Sequence, residues 1–370
     1  MVLIDCVAAA DSDVMTETSV NNRPQNEEEN LETEEIQFQS SVTIPSSLEK
    51  HLDVLRINEE GGILIGCSAL TGRYWKGSLW YYENLSDAPE PSLCTAVLPY
   101  NSGISDTQWI TSSLVITASD SGSVGVYNIR KEGRSFESEW ELIEHDDRVT
   151  GVGVCANSTN AISVGADCNV KIWDIPAQQS INRYRGHYDS ISSVSCHAKE
   201  ADVFLTASKD GHVILWDRRK MRPALRLDTS PLEYEPTCVT WLPMSDNNYA
   251  VSDISGCLLV KDLRSADQSI HYSQPHQRSL SAIAFNPSNP SLVATTSDDC
   301  TVVVTDITSG DQVYKNSSHT DYVKGCVWSN NQENIVTTCS WDSTIKMHYI
   351  NSGQNNGESQ TMDDEPSSTS

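Results

Sequence analysis

Short runs of alternating and β-branched residues follow one another through the body of this chain, punctuated by Asp-Gly and other glycine turns. The stretch DVFLTASKDGHVILWD, from Asp202 to Asp217, shows the unit. A β-rich run from Val203 to Ser208 meets the tight turn Lys209-Asp210-Gly211, and a second β-rich run continues from His212 to Trp216. Period-two alternation closed by Asp-Gly predicts a hairpin. The body carries no convincing run with the 3.6-residue apolar period of a helix.

The hairpin unit recurs. NVKIWDI ends at Ile175, HVILWDR at Arg218, LLVKDLR at Arg264, TVVVTDI at Ile307 and TIKMHYI at Ile350; upstream, SVGVYNI ends at Ile129 and SLWYYEN at Asn84. The position of Asp174 is held in turn by Glu83, Asn128, Asp174, Asp217, Asp262, Asp306 and Tyr349, in steps of 45, 46, 43, 45, 44 and 43 residues. Seven copies at that spacing predict an all-β chain, a seven-bladed β-propeller with four strands per blade.

After Tyr349 the sequence turns low-complexity, so the last blade lacks an outermost strand. An unpaired edge invites aggregation. EIQFQSSVTI places Ile36, Phe38, Val42 and Ile44 at period two, and residues 36–44 are expected to supply the missing strand. The propeller then spans residues 36–350. Residues 1–35 and 351–370 read as acidic, disordered tails, with too little apolar surface to offset chain entropy.

Charge narrows the function classes. The formal net charge is −26; residues 1–50 hold −9 of it, residues 351–370 hold −4, and −13 remains for the body. Direct nucleic-acid binding needs Lys and Arg clusters and is disfavoured, whereas a basic protein partner suits an acidic body. The eleven cysteines form no C-x-x-C pair, which argues against zinc ribbons and thiol redox motifs. The start MVLIDCVAAADSD has no basic n-region, and no apolar run reaches the ~20 residues of a membrane helix. A soluble, reduced, intracellular chain is expected. The N-x-S/T triplets at Asn157 and Asn316 carry no weight in such a compartment.

Gly186-His187 with Trp216-Asp217, and Trp173-Asp174 again, are the signature dipeptides of WD repeats. Residues 45–350 resemble that family, with degenerate ends (KD, TD, YN, HY) in the other copies. The family assigns a structural meaning to residues that otherwise suggest a hydrolase. His145-Asp146, His187-x-Asp189 and His319-x-Asp321 look like fragments of a catalytic triad. In WD repeats, however, a loop His, a Ser or Thr on the second strand, the turn Asp and the Trp form one buried chain of hydrogen bonds. The matching sets here are His145, Ser163, Asp167 and Trp173, and His187, Thr206, Asp210 and Trp216; His276 with Thr295 and His319 with Thr338 repeat the theme. Turn aspartates are read at Asp120, Asp167, Asp210, Asp253, Asp299 and Asp342. A triad occurs once, whereas this pattern occurs in four blades. The sequence has no phosphate loop, H-E-x-x-H or EF-hand motif, so no enzyme, cofactor or metal is expected.

CSALTGRYWKGSLWYY, Cys67 to Tyr82, stands apart. Where repeat four joins its strands by three residues, this copy has nine, Ala69 to Gly77. They read as a projecting loop carrying Arg73, Tyr74 and Trp75, residue types that dominate interface hot spots; Trp80 falls on the following strand and reads as core. The pattern from Ser68 to Trp80, with GGILIG before it, resembles the WD-repeat subunit of the methylosome. The resemblance implies a scaffold bound to a type II protein arginine methyltransferase, with Trp75 inserting into the enzyme and Tyr314 as a second partner-facing aromatic. It also implies a hetero-octamer, Sm proteins and histones as substrates, and a cytoplasmic and nuclear location. A rival reading comes from Trp216-Asp217-Arg218-Arg219 and Asp262-Leu263-Arg264. These resemble the box of cullin-RING ligase substrate receptors, in which Arg219 and Arg264 would reach the adaptor.

Overall fold

The computed structural model describes residues 45, 47–71, 74–220, 225–330 and 334–350. The expected closing strand, residues 36–44, and both acidic tails lie outside the described residues.

Among the described residues, twenty-seven strands build seven antiparallel blades around a central channel, with the outer strands of blades one and two joined by one parallel pairing, Val97↔Ser135. From the channel outward, blade one holds His51–Ile57, Ile63–Thr71, Tyr74–Tyr82 and Ala96–Tyr100. Blade two holds Ile104–Trp109, Leu114–Ser119, Ser123–Arg130 and Ser135–Ile143, and blade three Val149–Val154, Asn160–Gly165, Asn169–Asp174 and Gln179–Arg185. Blade four holds Ile191–Cys196, Val203–Ser208, Val213–Asp217 and Leu225–Leu227, and blade five Pro236–Trp241, Asn248–Asp253, Leu258–Asp262 and Ser265–Ser273. Blade six holds Leu280–Phe285, Leu292–Ser297, Val302–Asp306 and Gln312–Asn316. Blade seven shows three strands among the described residues, Val323–Trp328, Ile335–Ser340 and Ile345–Tyr349. The inner strand of blade seven packs against that of blade one and closes the ring. Two 3-10 turns, at Leu85–Asp87 and Pro91–Leu93, are the only helical pieces among the described residues.

Each marker of the 43–46-residue spacing stands on the third strand of its blade or just beyond its end. The second and third strands are nearly continuous runs of buried Val, Ile, Leu and Ala, because each sheet is covered on both faces by its neighbours. The core accordingly lies between blades. One cluster joins Ile162, Val164 and Ile172 of blade three to Phe204, Ile214 and Trp216 of blade four.

Every inner strand skips one residue of its ladder near its start: Asp53, Ser105, Thr150, Ser192, Thr237, Ser281 and Lys324 in blades one to seven. Such a bulge sharpens strand twist and re-aims a side chain. Three of the side chains bond the next blade: Ser105 Oγ to Val149 O at 2.5 Å, Thr150 Oγ1 to Ile191 O at 2.5 Å and Ser192 Oγ to Pro236 O at 2.8 Å. Blades two to six thus use a hydroxyl here. Blades seven and one carry charges instead: Lys324, whose Nζ binds Asp298 of blade six at 2.6 Å, and Asp53.

The nine-residue connection in blade one is not a loop. The ladder runs on through Ala69↔Lys76, Leu70↔Trp75 and Thr71↔Tyr74, leaving two residues for the turn. The surplus is a paired β-arm, because Leu70, Thr71, Tyr74 and Trp75 all favour extended backbone and flank a Gly-containing pair. Two of the turn aspartates also move. Asp253 N bonds Cys257 O as Ser208 N bonds His212 O, so Ser255, not Asp253, matches Asp210. Asp120 N bonds Gly103 O as Lys209 N bonds Ser190 O, so Ser121 takes the aspartate's place in blade two. Neither blade has a histidine in its preceding loop, so neither has a ring N–H for an aspartate to accept.

Candidate partner-binding site

The His, Ser/Thr and Asp side chains that suggested chemistry are fastened into the blades. His145 Nδ1 lies 3.0 Å from Asp167 and its Nε2 lies 2.7 Å from Ser163 Oγ, which accepts from Trp173 Nε1 at 2.8 Å. His187 repeats this with Asp210 at 2.9 Å, Thr206 at 2.7 Å and Trp216 Nε1 to Thr206 at 2.8 Å. His276 and His319 do the same with Asp299 and Thr295, and with Asp342 and Thr338. Each aspartate also accepts a backbone N–H from the residue after its histidine. The imidazole N–H bonds hold the Asp167 and Asp299 carboxyls below the usual range despite burial, and the Thr344 hydroxyl, with the Thr320 N–H and His319, holds Asp342 at about 2. Burial pushes the His187 and His319 imidazoles down. A neutral ring then donates from Nδ1 to the carboxylate and accepts the hydroxyl proton at Nε2. In these four chains no ring nitrogen is left to act on a substrate.

In blade seven His348 replaces the tryptophan. Its Nε2 lies 2.9 Å from Thr338 Oγ1, and its Nδ1 is 3.1 Å from the Tyr314 hydroxyl. Tyr314 is half-buried, packed with Trp328, Val336 and Ile350, and its hydroxyl is spent on the neighbouring blade. This geometry gives Tyr314 an inter-blade role.

Arg219 and Arg264 are exposed but already engaged. Arg219 forks onto Asp217, with Nε at 2.8 Å and a terminal nitrogen at 2.9 Å; Arg264 does the same to Asp262 at 3.0 and 2.6 Å. Each aspartate is held at about 2, with the arginine bond as first cause. Both pairs lie at ends of third strands, on the face of the ring away from the second-to-third-strand turns.

The arm presents different chemistry. Trp75 is 42% exposed, and Leu70, its cross-strand partner, is 55% exposed. Only the backbone pairing of Tyr74 is described, and Arg73 lies outside the described residues. Trp80 is fully buried, its Nε1 donating to Ser78 Oγ at 2.5 Å. The arm is steadied at its base: the Trp75 ring is 5.9 Å from His51, which stacks on Trp341 at 4.4 Å and 19°. Trp341 meets Tyr322 at 5.4 Å, and Lys324 Nζ lies 5.0 Å from the Trp341 ring and 5.1 Å from the Tyr322 ring. Trp341 Nε1 donates to Asp53 at 2.8 Å, and burial raises the Asp53 carboxyl to about 6. The seam between blades seven and one therefore forms an aromatic floor beneath Trp75. Sequence reading missed His51, Tyr322, Lys324 and Trp341. One signal was available: Trp341 sits in a turn where the other repeats have Ala166, Lys209 or Asp298.

The central channel, about 750 Å³, is bridged by Arg56, which donates to Asp106 at 2.6 Å, while Asp106 accepts Val152 N–H at 3.0 Å. That chain ties three blades together. No group of side chains fit to hold a metal ion occurs among the described residues, and no helix there is long and apolar enough to cross a membrane.

The model of the WD domain, G-beta repeat, matches residues 136–174, 178–217, 267–306 and 310–348. Each match starts on the outer strand of one blade, or one or two residues before it, and ends on the third strand of the next. Blades one, two and five are therefore the divergent ones. Among solved structures, a chain of the COPII outer coat vertex superposes with a TM-score of 0.72 at 18% identity, covering 85% of this chain and 86% of that one; it shares the fold. Among characterised proteins, histone acetyltransferase type B subunit 2 of Candida glabrata is 24% identical over 203 residues, 53% of this chain and 47% of that protein. Methylosome protein WDR77 of Xenopus laevis is 32% identical over 309 residues, 84% of this chain and 92% of that protein. Likeness at that level over nearly the full length of both, on a seven-bladed ring of WD repeats, places the chain in the WDR77 family of methylosome WD-repeat proteins.

Proposed function

We propose that the chain is a non-catalytic scaffold that binds a type II protein arginine methyltransferase through the blade-one arm and presents basic substrates to it. One observation carries this reading: a paired arm that no blade needs holds Trp75 and Leu70 out to solvent, in a chain similar to a methylosome protein along almost its whole length. A tryptophan on a rigid ladder, backed by an aromatic floor, loses little conformational freedom on binding, as suits a hot-spot anchor. The acidic body favours encounter with arginine-rich proteins such as Sm proteins and histone tails. A hetero-octamer and a cytoplasmic and nuclear location belong to the same proposal. The ubiquitin-ligase reading loses ground, since Arg219 and Arg264 are satisfied by their own aspartates.

Co-purification tests it. Trp75→Ala should release the methyltransferase while leaving the melting temperature unchanged, because the side chain lies outside the packed blades. A variant that still co-purifies at wild-type yield overturns the assignment.

A further inference from the structure

The arm is not the only surplus on its face of the ring. The connection from the outer strand of blade four to the inner strand of blade five takes eight residues, 228–235, where blades three, five and six use five or six. The extra length is built, not slack. Lys261 Nζ binds Asp228 at 3.0 Å, Ser230 N–H donates to Asp228 Oδ1 at 3.1 Å, Leu232 N–H donates to Thr229 O at 2.8 Å, and Ile254 N–H donates to Glu235 O at 3.1 Å. Between this loop and the Lys209–Gly211 turn lies a groove of about 330 Å³. Tyr234 and Ile254 stand exposed on it, and Leu232 is half-buried beneath. Glu233 and Glu235 flank the tyrosine, and neither carboxylate has an ion pair or side-chain hydrogen bond among the described residues. Lys209 is the one cation on the rim among the described residues, and Asp210 is already spent on His187.

We infer that this groove is a docking site for an arginine-bearing, extended peptide segment. Charge complementarity selects the occupant: two unneutralised carboxylates suit guanidinium groups, and the exposed face of Tyr234 suits a cation stacked on it. The apolar ledge of Leu232 and Ile254 takes the aliphatic stem that long basic side chains lay along such surfaces. All inner strands run in the same sense, so turns from the second to the third strand emerge on one face. The groove therefore opens on the same side of the ring as Trp75, about half a turn away. Naming the peptide as a methylation substrate rests on the scaffold reading above; the binding itself does not.

The test uses the full chain and a fluorescent Arg-Gly repeat peptide, read by anisotropy at low and physiological salt. The wild type should bind, more weakly as salt rises. Glu233→Gln with Glu235→Gln should weaken binding about fivefold at low salt, and adding Tyr234→Ala should weaken it further. These residues are exposed, so melting temperature should not change. Replacing every peptide arginine by lysine should also reduce affinity, and Trp75→Ala should not. A triple variant that binds like the wild type, or a wild type that binds no Arg-Gly peptide, overturns the proposal. Methyltransferase co-purification of the triple variant separates the two readings. The groove fails alone if peptide binding is unaffected in a protein that still holds the enzyme. The scaffold reading fails alone if Trp75→Ala keeps the enzyme while the groove behaves as stated.

Discussion

Two hairpins in this ring share a ladder and end differently. In blade four, Val203–Ser208 and Val213–Asp217 stop at the turn Lys209-Asp210-Gly211, which is tied down. Asp210 accepts from His187 and from the backbone N–H groups of Tyr188 and His212, and the chain runs on through Thr206 to Trp216. In blade one, the corresponding strands pair for three further steps beyond Ser68↔Gly77, and no aspartate closes them. The first hairpin spends its polar groups inward on the blade. The second leaves the blade and puts apolar side chains outward. A turn that is locked by its own blade cannot serve a partner, and a turn released from the lock can.

The largest effect expected of this comparison is on the locked side. Asp210→Ala removes the acceptor for three N–H groups at a side chain only 6% exposed, leaving the His187 ring N–H buried and unpaired. Loss of one partner from such a buried pair costs about 3 kcal/mol. Chemical denaturation should show that loss. A loss below about 1 kcal/mol would mean that the turn is held by its backbone alone.

Next comes the released side. Replacing Leu70–Trp75 by Lys-Asp-Gly closes the ladder at Ala69↔Lys76 and converts the arm into a blade-four turn. Methyltransferase affinity should fall by about 2 kcal/mol or more, as for loss of a hot-spot anchor, while the melting temperature of the propeller stays within error. An arm-trimmed protein that unfolds would assign the arm a structural task and dissolve the contrast.

How much of this contrast the sequence displayed depends on whether neighbours in the chain are also neighbours in the fold. The blade spacing and the four histidine chains are repeated grammar, and Trp80 was separable from Trp75 by counting from the strand that follows. The arm's pairing was available in Gly72-Arg73 flanked by β-formers, but length alone made it read as a loop. Asp120 and Asp253 were misplaced because a turn aspartate is defined by the histidine that meets it, not by its position before a glycine. Tyr314, Lys324 and Trp341 depend on contacts between blades one and seven or six and seven. Such contacts exist only once the ring closes, and no local pattern encodes them.

A third hairpin sharpens the comparison more gently. Blade seven keeps the lock but substitutes His348 for tryptophan, and burial, with His319 and Lys346 beside it, holds that imidazole at about 3. The folded value lies below the ordinary one near 6.5, so between those values the unfolded chain binds the extra proton. Stability should therefore fall as pH drops below about 6.5, by up to roughly 1.4 kcal/mol per pH unit for this one group. The lowered His187 and His319 add in the same direction. Asp342 acts lower down: its stabilisation is complete above the ordinary carboxyl range and is lost as pH falls toward about 2. His348→Trp restores the donor used in blades three and four and should flatten the slope between pH 6 and 4. Equal slopes in both proteins would show that His348 is not the titrating group.

The smallest effect is expected on the opposite face, where locking involves a cation. Arg219 and Arg264 fork onto the aspartates two residues before them, with 64% and 72% of each side chain exposed. Ion pairs that open to solvent stabilise little, so Arg219→Ala with Arg264→Ala should leave the melting temperature and methyltransferase co-purification unchanged. The pairs should still register in one place. The Asp217 and Asp262 carboxyls, held at about 2 chiefly by those arginines, should titrate upward toward the ordinary carboxylate range when followed by NMR. If the double variant lost the methyltransferase while the arm-trimmed protein kept it, the partner would sit on the arginine face, and the released hairpin of blade one would have no claim on it.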